Sequence, residues 1–224
     1  MTDWRLPFAS LIAVLLVSLA AASTDDSPAP GAEAEAVPEI EPAPEPQSEP
    51  QFEPRPTTPE EEAAQRKARL DDLFARLAQT DDPGWQSVQN EIWLQWSHSG
   101  SPAMDLLLAR AESAMQAGEQ ELALRFLDDL VRLAPNFAEG WNKRATVYFI
   151  LGEYGRSVAD IQRTLALEQR HFGALSGLGI ILEQLGDKKG AMRAYRRGLE
   201  INPNLPGALE AVERLAPDVD GREL

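Results

Sequence analysis

The chain has 224 residues, 43% apolar and 25% charged, an ordinary globular balance with room for one domain and appendages. Its formal charge of −15 is uneven: residues 23–62 hold twelve acids and one base, which leaves about −4 for the rest and argues against a nucleic-acid partner. The absence of cysteine excludes disulfides, thiolate metal sites and a cysteine nucleophile.

Residues 1–22 read as a secretory signal. Arg5 makes a weakly positive start, Phe8 to Leu19 is apolar apart from small serines, and Ala20-Ala21-Ala22 supplies a small-residue cleavage pattern. The apolar run is about 15 residues, short of the roughly 20 that span a bilayer. The alternative is an uncleaved inner-membrane anchor. Either reading exports the rest of the chain, as a periplasmic or secreted protein or as one anchored facing the periplasm.

Residues 23–58 repeat Glu-Pro at Glu41-Pro42, Glu45-Pro46, Glu49-Pro50 and Glu53-Pro54. Proline removes backbone donors and like charges repel, so the expectation is a disordered, extended, acidic linker. A folded region is expected over 59–217. Its first helix is announced by Thr58-Pro59-Glu60-Glu61, a capping box with proline at the first helical position. Leu70, Leu73, Phe74 and Leu77 supply its apolar stripe, and Asp81-Asp82-Pro83-Gly84 breaks it. A second helix carries Val88, Ile92, Trp93 and Trp96.

From Met104 onward the chain keeps a step of 34 residues. Gly118, Gly152 and Gly186 follow it, as do the small residues Ala123, Ser157 and Ala191 and the large ones Leu127, Ile161 and Tyr195. Leu107, Trp141 and Leu175 form a further series, and Ala111, Ala145 and Gly179 another. A fixed period with alternating small and large residues predicts stacked helix pairs. Three units are expected, at 104–137, 138–171 and 172–205, each with a glycine ending its first helix in the left-handed conformation. A capping helix over 206–215 and a tail over 218–224 complete the chain. Gly84 lies one step before Gly118, so 70–103 reads as a degenerate unit in which Gln89 replaces the small residue. Trp141→Ala is expected to cost ~3–5 kcal/mol as a buried large-to-small change. A β-branched residue at Gly152 should be resisted by the backbone.

These residues resemble the tetratricopeptide repeat family. Trp141, Ala145, Tyr148, Gly152, Tyr154, Ser157, Ile161 and Thr164 fall in its pattern, as do Leu175, Leu178, Gly179, Leu182, Gly186, Ala191, Tyr195 and Pro203. The resemblance implies an all-α solenoid of stacked antiparallel helix pairs. It further implies a concave face lined by the first helix of each unit. Carried over position by position, the candidate groove residues are Glu112 and Met115 in the first unit. In the second they are Glu139, Asn142, Lys143, Thr146, Phe149 and Ile150, and in the third Ser176, Ile180, Glu183 and Gln184. Such a mixed face suits an extended segment or helix of another protein. Some family members hold a C-terminal carboxylate with a Lys and Asn clamp; here Asn142 and Lys143 stand at clamp positions, but Thr146 replaces an asparagine.

No catalytic constellation, cofactor fingerprint or metal-ligand spacing emerges. His98 and His171 have no carboxylate or cysteine at ligand spacing. The run Gly173, Gly177, Gly179 lacks the preceding strand of a dinucleotide site and reads as close helix packing. Arg110 and Arg144 fall at a usually buried position, with Asp160 placed to pair with Arg144. The cluster Lys188, Lys189, Arg193, Arg196 and Arg197 reads as a solvated outer face. The expectation is therefore an exported, non-catalytic interaction scaffold of the cell envelope that holds a protein or peptide segment. It touches a membrane only through an uncleaved N-terminus. The alternatives are an envelope enzyme directed at peptidoglycan, or an accessory subunit of one, and a self-associating structural protein.

Overall fold

A computed structural model describes residues 58–79, 83–219 and 221. The signal segment and all of the acidic linker except Thr58 lie outside the described residues, as do most of the tail and Asp81-Asp82 of the first break. Among the described residues there are nine helices and no strand. They are α1 (Pro59–Leu77), α2 (Trp85–Trp96), α3 (Pro102–Gln116), α4 (Gln120–Leu133), α5 (Ala138–Ile150), α6 (Tyr154–Leu167), α7 (Phe172–Gln184), α8 (Lys188–Ile201) and α9 (Pro206–Val219). No helix among the described residues is long and apolar enough to cross a membrane.

The capping box that opens α1 is formed in both directions. Glu61 N donates to Thr58 Oγ1 at 3.2 Å, and Thr58 N donates to Glu61 Oε2 at 3.0 Å. The three units pair as α3–α4, α5–α6 and α7–α8, and each pair packs on the next. Gly118, Gly152 and Gly186 end the first helices with φ of +76°, +75° and +81°. Nothing lies within 4 Å of where a Cβ on Gly152 would stand. The cost of a side chain there is therefore conformational alone. Gly152→Val is expected to lose at least ~1–2 kcal/mol in urea unfolding, and Gly152→Asn less, since asparagine tolerates the left-handed region.

The small and large series explain how the pairs close. Ala123, Ser157 and Ala191 are all but inaccessible, and Leu127, Ile161 and Tyr195 fill the space beside them. A Cβ on Gly179 would stand 2.5 Å from the Tyr195 ring, so only glycine lets α7 and α8 approach this closely. Trp141 departs from expectation. It is only half-buried, with Nε1 donating to Pro135 O at 3.0 Å and the Arg144 guanidinium 4.9 Å over its ring. Its removal should cost less than the figure for a fully enclosed aromatic. Arg110 departs too, being exposed. Arg144 pairs with Asp160 as expected, through two bonds of 2.7 and 2.8 Å, and adds one to Asp128 at 2.8 Å.

At the C-terminal end α9 lays Ala208, Ala211 and Leu215 over Ala191, Met192 and Tyr195 of α8. This cap runs to Val219, past the expected stop at Leu215, and takes Pro217 into its last turn. There the ring forgoes only one backbone bond near a terminus.

The first pair is where the expected stacking fails. Leu73, Leu77, Val88 and Ile92 close the seam between α1 and α2, but that core is completed by Phe172 of α7, with Ile201 and Leu205 packed against it. No residue of α3 joins it. α1 and α2, the expected degenerate unit, therefore form a hairpin that packs on the third unit and does not extend the stack before the first. Two residues explain the choice. Gln89, at the step where the other units are small, accepts a bond from Asn202 Nδ2 at 2.7 Å. Trp93 settles on Gly173, whose missing side chain leaves room for an indole.

Candidate functional site

The inner helices α5 and α7 face each other across a cleft of about 280 Å³. Three features open it. Ala145 and the Gly173, Ser176, Gly177 run keep both walls thin. Ser157 of α6 ties the floor to α5, its Oγ donating to Ala145 O at 2.7 Å. Ile161 of α6 and Ile181 of α7 seal the bottom. Phe149 and Ile180, the latter 41% exposed, form apolar walls. No ionisable side chain lines the cleft.

Of the twelve candidate groove residues, Asn142, Thr146, Phe149, Ser176 and Ile180 line this cleft. Ile150 and Gln184 are exposed outside its lining, and Met115 packs against the core of the first unit. The acids are already engaged. Glu112 Oε1 lies 2.7 Å from Lys143 Nζ. Glu183 accepts from Tyr195 Oη at 2.9 Å and from Arg214 at 2.6 and 3.1 Å. The Arg214 bonds, joined by that from Tyr195, hold the Glu183 carboxyl below its ordinary range against partial burial.

Glu139 is the clear correction. It was expected on the open face, and only 1% of it is exposed. Its Oε2 lies 3.0 Å from His171 Nε2 and accepts from Asn142 Nδ2 at 3.1 Å. Its Oε1 lies 3.3 Å from Lys143 Nζ, an ion contact without hydrogen-bond geometry. His171, fully enclosed, caps α7: Ala174 N donates to its Nδ1 at 3.1 Å. Since Nδ1 accepts, the network assigns the proton to Nε2, which donates to Glu139. Burial pushes the Glu139 carboxyl up, but His171 and Lys143 outweigh it and hold the group below its ordinary value. Burial likewise pulls Lys143 down, while Glu139 and Glu112 hold it above its ordinary value.

This buried acid–imidazole pair escaped the sequence reading, which gave His171 no carboxylate companion. The 34-residue step held a signal: His171 stands where Phe137 and Leu205 stand in the neighbouring units, a position that wants burial. Among the described residues no three His, Cys, Asp or Glu side chains are grouped to hold a metal ion. On α8 the basic cluster is exposed, with Lys188 paired to Asp218 and Arg197 to Glu200.

Stacked helix pairs, glycine-ended first helices and an open cleft between inner helices define the class as a helical-repeat interaction scaffold. Residues 142–206 match the family model described as tetratricopeptide repeat. A TPR repeat-containing protein of Rhizobium etli is 42% identical over 156 residues, covering 69% of this chain and 76% of the relative. The chain belongs to the tetratricopeptide repeat family. The heat-shock protein cognate co-chaperone sgt12 of Aspergillus fumigatus is 25% identical over 168 residues, and there the match spans 49% of the relative. Among solved structures, the first TPR of Spaghetti (RPAP3) bound to the HSP90 peptide SRMEEVD superposes with a TM-score of 0.50 at 21% identity, over 51% of this chain and 91% of that one. The Sgt2 TPR domain of Aspergillus fumigatus gives 0.50 at 23% identity, over 54% and 81%. These two likenesses concern the fold.

Proposed function

We propose that this protein is a non-catalytic scaffold of the cell envelope, exported by its apolar N-terminal segment, that docks a segment of a partner protein in the α5–α7 cleft. The observation that carries the reading is the cleft: open, walled by Phe149 and Ile180, and without an ionisable group in its lining. A reaction needs a positioned acid, base or nucleophile, so this lining weighs against a cell-wall-directed enzyme. Recognition here rests on apolar contact, with Asn142, Thr146 and Ser176 as polar side chains in the lining.

The same geometry selects among segments. Lys143, at a clamp position, is consumed by Glu112 and Glu139, and Thr146 Oγ1 donates to Asn142 O at 3.0 Å. An acidic C-terminal tail meets no free cation in the cleft. Crosslinking with mass spectrometry in the native cell tests the reading, with an N-terminal sequence read on the same sample for export. Crosslinks from the α5–α7 cleft to one partner are expected. Ile180→Glu should cut capture of that partner at least tenfold, while Gln162→Glu on the exposed face of α6 leaves it unchanged. The peptide SRMEEVD should show no saturable binding by fluorescence anisotropy. Equal capture by Ile180→Glu would remove the cleft from the account.

A further inference from the structure

We propose that the α1–α2 hairpin is a hinged stopper at the Gly173 end of the cleft, latched closed by its own side chains and displaced when a partner segment runs past Gly173. The role of the partner rests on the reading above; the gate itself stands on separate contacts.

Gly173 lines the cleft, and Trp93 covers it: indole carbons lie 2.4 and 3.0 Å from where a Cβ on Gly173 would stand. Trp93 meets Phe172 edge-on at 5.3 Å and His171 at 5.5 Å. Trp96 stacks flat on His171 at 4.1 Å. Two side-chain bonds latch the hairpin to the second and third units, and the Arg170 guanidinium also lies 4.2 Å over the Phe74 ring. Arg170 Nη1 donates to Asp71 Oδ1 at 2.7 Å, and Asn202 Nδ2 donates to Gln89 Oε1 at 2.7 Å. Both are partly open to solvent, where such bonds are weak individually and readily exchanged for water.

The hairpin is built to move as a piece. Leu73, Leu77, Val88 and Ile92, each 1% exposed or less, pack between its own two helices. Its link to α3 is the short run Ser97-His98-Ser99-Gly100-Ser101, with Gly100 at φ +86°. On the hairpin side of that glycine Ser99 donates twice to Asp105 Oδ1, at 2.7 and 2.6 Å, which ties the turn across Gly100 to α3. Rotation of the hairpin thus falls to Ser97 and His98, between the end of α2 and that tie. Opening uncovers Phe172, which keeps the closed state dominant, so a partner that needs the open state binds with an affinity reduced by the closed fraction.

The chain has no cysteine, so a single engineered thiol is a clean reporter. Ser176→Cys places one in the cleft, a helical turn beyond Gly173. Its rate of labelling by a bulky maleimide is measured in the full chain and in two releasing backgrounds. These are Trp93→Ala, which removes the stopper, and Asp71→Ala with Gln89→Ala, which cuts both side-chain bonds and leaves every apolar residue in place. Both should raise the labelling rate at least tenfold, while hydrogen exchange shows lost protection over 59–96 and none over α3–α8. An unchanged rate despite lost protection over 59–96 would show that the hairpin leaves without opening the cleft, and would overturn the proposal. Retained protection over 59–96 in the latch variant would do so as well, by making the hairpin a fixed wall. Neither result depends on a partner, so the gate can fail while Ile180→Glu still abolishes capture.

Discussion

Glu139→Ala is expected to destabilise the fold by ~3–5 kcal/mol, the cost of leaving a buried ion-pair network without one member. The loss is not confined to one contact. Lys143 would keep only Glu112, the His171 Nε2 proton would lose its acceptor, and Asn142 would be released toward the cleft. Urea unfolding followed by circular dichroism measures it. The pH dependence has a definite direction. The Glu139 carboxyl sits below its ordinary 4.5 in the folded chain. Its contribution is therefore complete above the unfolded value and disappears as pH falls through the folded one. Glu139→Gln keeps the shape but removes the titration, so the acid limb of the stability curve should become shallower than in the parent. An unchanged acid limb would mean that other carboxylates carry it.

Phe172→Ala is expected to cost a similar ~3–5 kcal/mol, with a different signature. Phe172 is fully enclosed and belongs to the core of a hairpin far away in sequence. It meets Trp93 and Trp96 at 5.3 and 5.2 Å. Its loss should loosen that hairpin before the stack, so tryptophan emission should shift to the red at lower urea than the loss of helical signal. One coincident transition would show that the hairpin and the repeats melt together.

The two substitutions mark how far the amino-acid pattern could be read. The 34-residue step disclosed the helix pairs, their glycine-ended turns and the Arg144–Asp160 bond, because each is set by neighbours inside one unit or the next. The apolar half of the cleft, Phe149 and Ile180, came instead from the family resemblance, which implies a concave face lined by the first helix of each unit. The fate of Glu139 was not. A carboxylate on an inner helix reads as solvated, and only its meeting with His171, on the next inner helix, offsets the cost of enclosing it. Nor was the docking of α1 and α2, since Gln89 and Trp93 look like erosion of a repeat until Asn202 and Gly173 are seen opposite them.

The Arg170–Asp71 and Asn202–Gln89 bonds join residues 99 and 113 positions apart. On a ribosome the leading helices thus emerge long before the surfaces they need, and Trp93 and Trp96 wait unsheltered until the last unit is made. Contacts of such reach slow folding. The hairpin of α1 and α2 is therefore made before the units it packs on and docks after them, and the interval is when this chain is most open to capture by a chaperone or by another copy of itself.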